Sequence, residues 1–121
     1  MGTGSMARGI AGLVIDGCVR DQFELEEMGF PVFAAGLCIR GTDKKFEEPG
    51  SLGEPITIGD ITINRGDLVL GDNDGIVIIP ATQVSDSIEK SVEREDKEEA
   101  TKKRLREGET TMEIYGWPEN K

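Results

Sequence analysis

Short apolar runs broken by glycine turns fill residues 1–80, and from Thr82 they give way to a long, almost wholly charged segment. Runs that short, bounded by turn residues, read as strands. Residues 10–16 are continuously apolar up to Asp16, the pattern of a buried strand in a parallel pair. Asp21 to Met28 reads as a short helix ended by Gly29. Phe30 to Ala35 is a second strand, with Pro31 near its start where a missing donor is tolerated, and Leu37 to Arg40 can continue it. Ile56-Thr57-Ile58 and Ile61-Thr62-Ile63 alternate around Gly59-Asp60, which predicts a hairpin. Arg65-Gly66-Asp67 turns the chain into Leu68-Val69-Leu70. A tight turn at Gly71–Gly75 then leads into Ile76–Ile79, closed by Pro80. Residues 41–54, rich in Gly, Pro and charge, form the least determined segment.

After Ala81 or Thr82 a helix opens, with Val84, Ile88 and Val92 in a narrow stripe at spacing four. Beyond Val92 it is nearly all charged until Leu105, and Gly108 ends it. A helix polar all round either reaches another subunit or is a solvated face held by i,i+4 pairs. The only Tyr and the only Trp sit in Met112–Trp117, an amphipathic tail suited to docking on a neighbouring subunit. The expected organisation is a leader or vector-derived stretch at 1–6, a core at 7–81, and a C-terminal helix with aromatic tail at 82–121.

The net charge of −10 and pI of 4.5 oppose binding to nucleic acid or an anionic membrane. There is no histidine, so no Ser-His or Cys-His nucleophile can form within the chain and the commonest zinc ligand is missing. Acid-base work falls to carboxylates, lysine, metal-bound water or a partner chain. Cys18 and Cys38 lie in apolar contexts without C-x-x-C spacing; buried free thiols in a reducing cytoplasm are expected. No apolar stretch reaches the ~20 residues of a membrane span.

Chemistry concentrates where the first strand runs through Gly17 into Arg20-Asp21. An arginine can clamp a carboxylate through two parallel hydrogen bonds, and an aspartate can ligate a hard cation. The pair therefore suits a substrate that is both an acid and a chelator. By itself the pair better suits a helix start, where the carboxylate meets the N-terminal dipole and the arginine is solvated. Asp72-Asn73-Asp74 has calcium-loop spacing, but the glycine and distal glutamate are misplaced, so a β-turn is expected. No G-x-G-x-x-G follows a strand, so a nucleotide or S-adenosylmethionine site has no support.

Taken in order, Val14-Ile15-Asp16-Gly17-Cys18-Val19-Arg20-Asp21, Gly29-Phe30-Pro31-Val32-Phe33-Ala34, Arg65–Pro80 and Arg94-Glu95-Asp96-Lys97-Glu98 resemble one family. It is the family named for the regulator of ribonuclease E activity A, and the resemblance spans about residues 7 to 116. Its enzymatic members are class II 4-hydroxy-4-methyl-2-oxoglutarate / 4-carboxy-4-hydroxy-2-oxoadipate aldolases with oxaloacetate decarboxylase activity, some formerly labelled demethylmenaquinone methyltransferases. The resemblance implies an α/β fold: a three-layer β/β/α swivelling domain with a protruding charged C-terminal helix. It implies that Asp21 ligates Mg2+ (or Mn2+) and that Arg20 holds the carboxylate or keto oxygen of a pyruvyl group. It further implies that Glu98, with Glu95 as second choice, supplies an acid from a neighbouring subunit.

The implied activity is metal-dependent cleavage of a small 2-keto acid, by retro-aldol reaction or oxaloacetate decarboxylation. The alternative is a non-catalytic oligomeric binding protein of the ribonuclease-regulator type, whose members lack the carboxylate after the arginine. Family aldolases carry a substrate-binding glycine loop about twenty residues before the Arg-Asp pair, a position that falls before residue 1. The resemblance therefore implies the C-terminal part of the family domain, or a shortened member, incomplete at the N-terminus. Uncovered edges and apolar surface then predict a homo-oligomer, a trimer or hexamer.

Overall fold

The computed structural model describes residues 1–118 except 44, 46 and 48. The chain divides into two compact units, Met1–Pro80 and Ala81–Lys121. The first is a mixed α/β unit, and the second is built on a long charged helix.

The first unit opens with a short helix, α1 (Gly2–Met6), where the sequence suggests only a leader. The helix is held by contact: the Thr3 hydroxyl donates to Met28 Sδ at 4.0 Å. Gly2 sits so close to Leu25 that a Cβ there would lie 3.0 Å from its Cδ2. Strand β1 (Leu13–Val19), helix α2 (Gln22–Glu27) and strand β2 (Val32–Leu37) then form a βαβ unit with the strands parallel. Strand β1 starts later and runs further than the apolar run suggests, because its partner fixes the register. Leu13 pairs with Val32, and the Leu13 N–H donates to the Pro31 carbonyl at 2.9 Å. The register slips between Ile15 and Cys18, so Asp16 and Gly17 together oppose Ala35. Such a bulge bends a strand and re-aims its exit.

Gly29 ends α2 with a left-handed φ of 67°. Its N–H donates to the Glu26 carbonyl, and Phe30 donates to Leu25 at 3.1 Å. This paired closure brings the residue after the glycine back onto the last turn of the helix. Phe30 is thereby the only buried residue among those described, 6% exposed.

Two antiparallel hairpins complete the unit. Strands β3 (Ile56–Ile58) and β4 (Ile61–Ile63) pair around Gly59-Asp60, as the alternation predicts. Strands β5 (Leu68–Asp72) and β6 (Gly75–Ile79) pair around Asn73-Asp74. The Asp72 carboxylate accepts from the Asp74 N–H at 2.8 Å, so it is tied into the turn. Gly71 of β5 lies against the ring of Phe33, which leaves no room for a side chain: a Cβ there would stand 2.5 Å from Cζ.

Little of this apolar surface is covered. The chain exposes 10772 Å², where a folded monomer of 13.2 kDa exposes roughly 6,400 Å². Val69 and Leu70, adjacent in β5 and so on opposite faces, are both exposed. Cys18 and Cys38 are free but exposed, which corrects the expectation of buried thiols. Their neighbours along the chain are apolar as the sequence suggests, yet among the described residues nothing buries either thiol.

The second unit begins with a single 3-10 turn (Ala81–Gln83) that leads into α3 (Val84–Arg106). Ion pairs at spacing three and four line the helix: Lys90–Asp86 at 2.8 Å, Arg94–Glu98 at 2.8 Å and Lys102–Glu99 at 3.4 Å. Each is solvent-exposed and contributes little to stability by itself. Helix α4 (Thr111–Tyr115) carries a capping box, in which Thr110 Oγ1 accepts from the Glu113 N–H while the Glu113 carboxylate accepts from the Thr110 N–H. The rings of Tyr115 and Trp117 stack at 5.7 Å.

The Thr110 backbone N–H, helped by its hydroxyl, holds the Glu113 carboxyl below its ordinary value of 4.5. A depressed folded-state value means the cap contributes fully above the unfolded value and is lost as pH falls through the folded one. Trp117 emission should therefore change on acidification, with a midpoint below pH 4.5 that moves up toward it in Thr110→Ala. A transition that persists unchanged in Glu113→Gln, which removes the titrating carboxyl itself, would rule out the cap as the cause.

Candidate functional site

Both parallel strands leave the sheet at the same edge, and ligands of parallel sheets collect beyond the carboxyl ends of the strands. At that edge β1 passes directly into Arg20 and Asp21. Asp21 is the N-cap residue of α2, but an unusual one. N-cap residues normally adopt extended backbone and accept a bond from the first turn of the helix. Asp21 instead has φ 62° and ψ 42°, and its side chain makes no capping bond. Among the described residues it is the only non-glycine with positive φ. That conformation is a cost that aspartate tolerates better than most residues.

The carboxylate is thus left facing solvent rather than tied to its helix. It sits 3.3 Å from Arg20 Nε, with both side chains more than half exposed. The remaining guanidinium nitrogens of Arg20 have no protein partner among the described residues. The arrangement presents one anionic oxygen donor and one forked cationic donor side by side. An open hollow of about 270 Å³ is lined by Val19, Leu25, Phe30, Val32 and Leu37 together with the polar side chains of Gln22 and Glu26; neither Arg20 nor Asp21 is part of its lining.

A hard cation fits this donor set on its chemistry. Mg2+ keeps several waters and is commonly held by one or two carboxylates plus the substrate's own oxygens. A closed all-protein cage is a different kind of site. Among the described residues no group of three or more His, Cys, Asp or Glu side chains forms one.

Glu98 stands in the other unit, on α3. Its carboxylate accepts from Arg94 Nε at 2.8 Å, and that hydrogen bond holds its pKa below the ordinary carboxylate value. A carboxylate held in this way is a weak base until Arg94 lets go. Glu95 and Glu98 share the helix, and Arg94 is paired to Glu98. Sequence reasoning puts Arg20 and Asp21 between a strand and a helix start, where the structure has them, but says nothing of their backbone. The order of residues carries no sign of a left-handed φ at Asp21.

The profile of the RraA-like family, described as Aldolase/RraA, matches residues 1–78. The chain belongs to the RraA-like family. Its matched region contains α1 and all of β1 to β5, with the Arg20–Asp21 turn near its start. A protein of Halalkalibacterium halodurans, provisionally named 4-hydroxy-4-methyl-2-oxoglutarate aldolase, is 32% identical over 107 residues, which are 88% of this chain and 50% of that protein. A Deinococcus radiodurans protein of the same provisional name is 35% identical over 81 residues, covering 67% of this chain and 49% of its own length. An uncharacterised protein of Methanocaldococcus jannaschii is 28% identical over 116 residues, again 88% of this chain and 50% of that protein. The chain spans about half the length of these relatives.

No described helix is long and apolar enough to cross a membrane.

Proposed function

We propose that the Arg20–Asp21 turn is the metal and substrate site of a carbon–carbon lyase acting on 2-keto acids. The observation that carries this reading is the left-handed Asp21, whose carboxylate is turned off its own helix and set beside Arg20 at the carboxyl edge of a parallel strand pair. Unfavourable backbone held in place at a surface turn is a mark of function when the side chain it frees has chemistry to do. The provisional names of the relatives point to the same chemistry.

Arg20 would hold the C1 carboxylate of the keto acid through paired hydrogen bonds and so fix its orientation. Asp21 would hold Mg2+ or Mn2+. The ion, when bound, supplies a Lewis acid for the 2-keto oxygen. With oxaloacetate the C3–C4 bond breaks and CO2 departs. The electron pair drains toward C2, and a proton taken up at C3 completes pyruvate. Retro-aldol cleavage breaks the equivalent bond of a 4-hydroxy acid and also requires a base for the C4 hydroxyl proton. Glu98 of a neighbouring copy is our assignment for that base, once Arg94 releases it, with Glu95 second.

The test is pyruvate release from oxaloacetate, with and without Mg2+, corrected for the rate of the metal alone. The reading predicts protein-dependent release that EDTA removes, and a larger loss of aldol cleavage than of decarboxylation in Glu98→Ala. Wild type at the background rate would refute it and leave the family's other role, a non-catalytic oligomeric binding protein. The large exposed apolar surface favours that second reading if turnover is absent.

A further inference from the structure

The two cysteines sit on neighbouring strands of the parallel pair. Cys18 is paired with Gly36 and Val19 with Leu37, and the Cys38 N–H donates to the Val19 carbonyl at 2.8 Å. The ladder therefore runs one residue past β2 and includes Cys38. Residues paired across a parallel ladder share a face, and faces alternate along each strand. Cys38 stands two residues beyond Gly36, so both thiols leave the same face. Gly36 puts no side chain between them, and the place a Cβ would take there is 3.8 Å from Cys18 Sγ. The sulfur of Cys18 thus reaches across toward β2, beside the gap that Gly36 leaves. Both thiols are free and exposed.

Distance decides what such a pair can do. Diagonal neighbours on adjacent strands lie roughly 7–8 Å apart. A disulfide needs Cα atoms within about 7 Å and sulfurs at about 2.05 Å, so closing one here would have to move the backbone. A bridging ion relaxes that demand: with metal–thiolate bonds of about 2.3 Å, two sulfurs on opposite sides of one ion stand about 4.6 Å apart. Thiolates select soft ions such as Cu(I). Among the described residues no group of three or more His, Cys, Asp or Glu side chains could hold a metal, so the pair offers two ligands, not the four of a structural zinc site. We infer that Cys18 and Cys38 together bind a soft, two-coordinate metal ion of the Cu(I) type, separately from the hard-cation donor Asp21. Each thiol gives its proton to solvent as its sulfur binds, and the ion keeps its oxidation state. A sulfur pair and an oxygen donor on the same strand–helix unit then sort ions by type.

Anaerobic titration of the intact, reduced chain with Cu(I) held by a chromogenic chelator tests this. Wild type should take one ion per chain from the chelator. Cys18→Ser and Cys38→Ser should each bind on the order of 100-fold more weakly, the loss expected when a two-point attachment becomes one-point. Both side chains are exposed, so neither change should disturb the fold, and thermal melts of the metal-free variants check that. Asp21→Asn should take up Cu(I) as wild type does. No uptake by wild type, or undiminished uptake in either serine variant, would overturn the paired site. So would recovery of uptake on mixing the two serine variants, because the ion would then bridge two chains. Uptake lost in Asp21→Asn would overturn its separation from the hard-cation donor.

Discussion

Asp21→Asn should lose metal-dependent pyruvate release by on the order of 100-fold or more, while the chain keeps its fold. Asparagine tolerates the left-handed region nearly as well as aspartate, so this variant removes the charge and leaves the backbone alone. Asp21→Ala mixes two effects. It removes the carboxylate and also forces an alanine to φ 62°, at a cost of roughly 1–2 kcal/mol. Asp21→Gly separates them from the other side, since glycine adopts that φ freely and should match or exceed wild-type stability with no turnover. The three variants together say whether the left-handed turn is maintained for chemistry. Thermal melts supply the stability order, and the oxaloacetate assay supplies the activities. An Asp21→Asn variant within about twofold of wild-type turnover would separate the carboxylate from the reaction.

The second large effect concerns mass. Light scattering at micromolar concentration should give a multiple of 13.2 kDa. The accessible surface exceeds the expectation for a folded monomer of this mass by roughly two-thirds. It includes large apolar side chains on every part of the fold: Phe23 on α2, Leu37 on β2, Val77 on β6, Ile88 and Val92 on α3. Exposed apolar side chains in this number are what an interface covers, and the obligate interfaces of homo-oligomers are the most apolar class. The assignment of Glu98 to a neighbouring copy's site requires such association. A single species of 13.2 kDa that melts cooperatively would show that the chain needs no partner surface.

What could be read from the sequence was local. The Ile-Thr-Ile hairpin is legible because two residues, Gly59 and Asp60, fix the turn and the alternation fixes the faces. The end of α2 is legible because Gly29 is the left-handed closure that the helix needs. The i,i+4 pairing of Arg94 with Glu98 follows from spacing alone. The features that the sequence hides depend on contacts distant along the chain. The apolar run starts strand β1 too early, because the limits of the strand come from Val32 and Leu37 on another strand. The bulge at Asp16-Gly17 then shifts the phase of Cys18 and Val19. Cys18 and Cys38 read as buried because their neighbours along the chain are apolar, but those neighbours do not cover them in space. Residues 1–6 read as a leader or vector-derived stretch, whereas the chain forms the short helix α1 there, in contact with Leu25 and Met28. The site shows the same division. Arg20 and Asp21 stand out as types, whereas the left-handed backbone at Asp21 shows only in the folded chain.

The most direct measurement is Mn2+ binding, followed by the loss of the free-ion electron paramagnetic resonance signal as the chain is added. Wild type should take up Mn2+, and pyruvate should tighten that uptake, because the keto acid completes the coordination that one carboxylate begins. Asp21→Asn should leave the free-ion signal intact at the same concentrations, with or without pyruvate. Equal uptake by wild type and Asp21→Asn, or no uptake by wild type even with pyruvate present, would contradict the assignment of the Arg20–Asp21 turn as a metal-dependent 2-keto acid site.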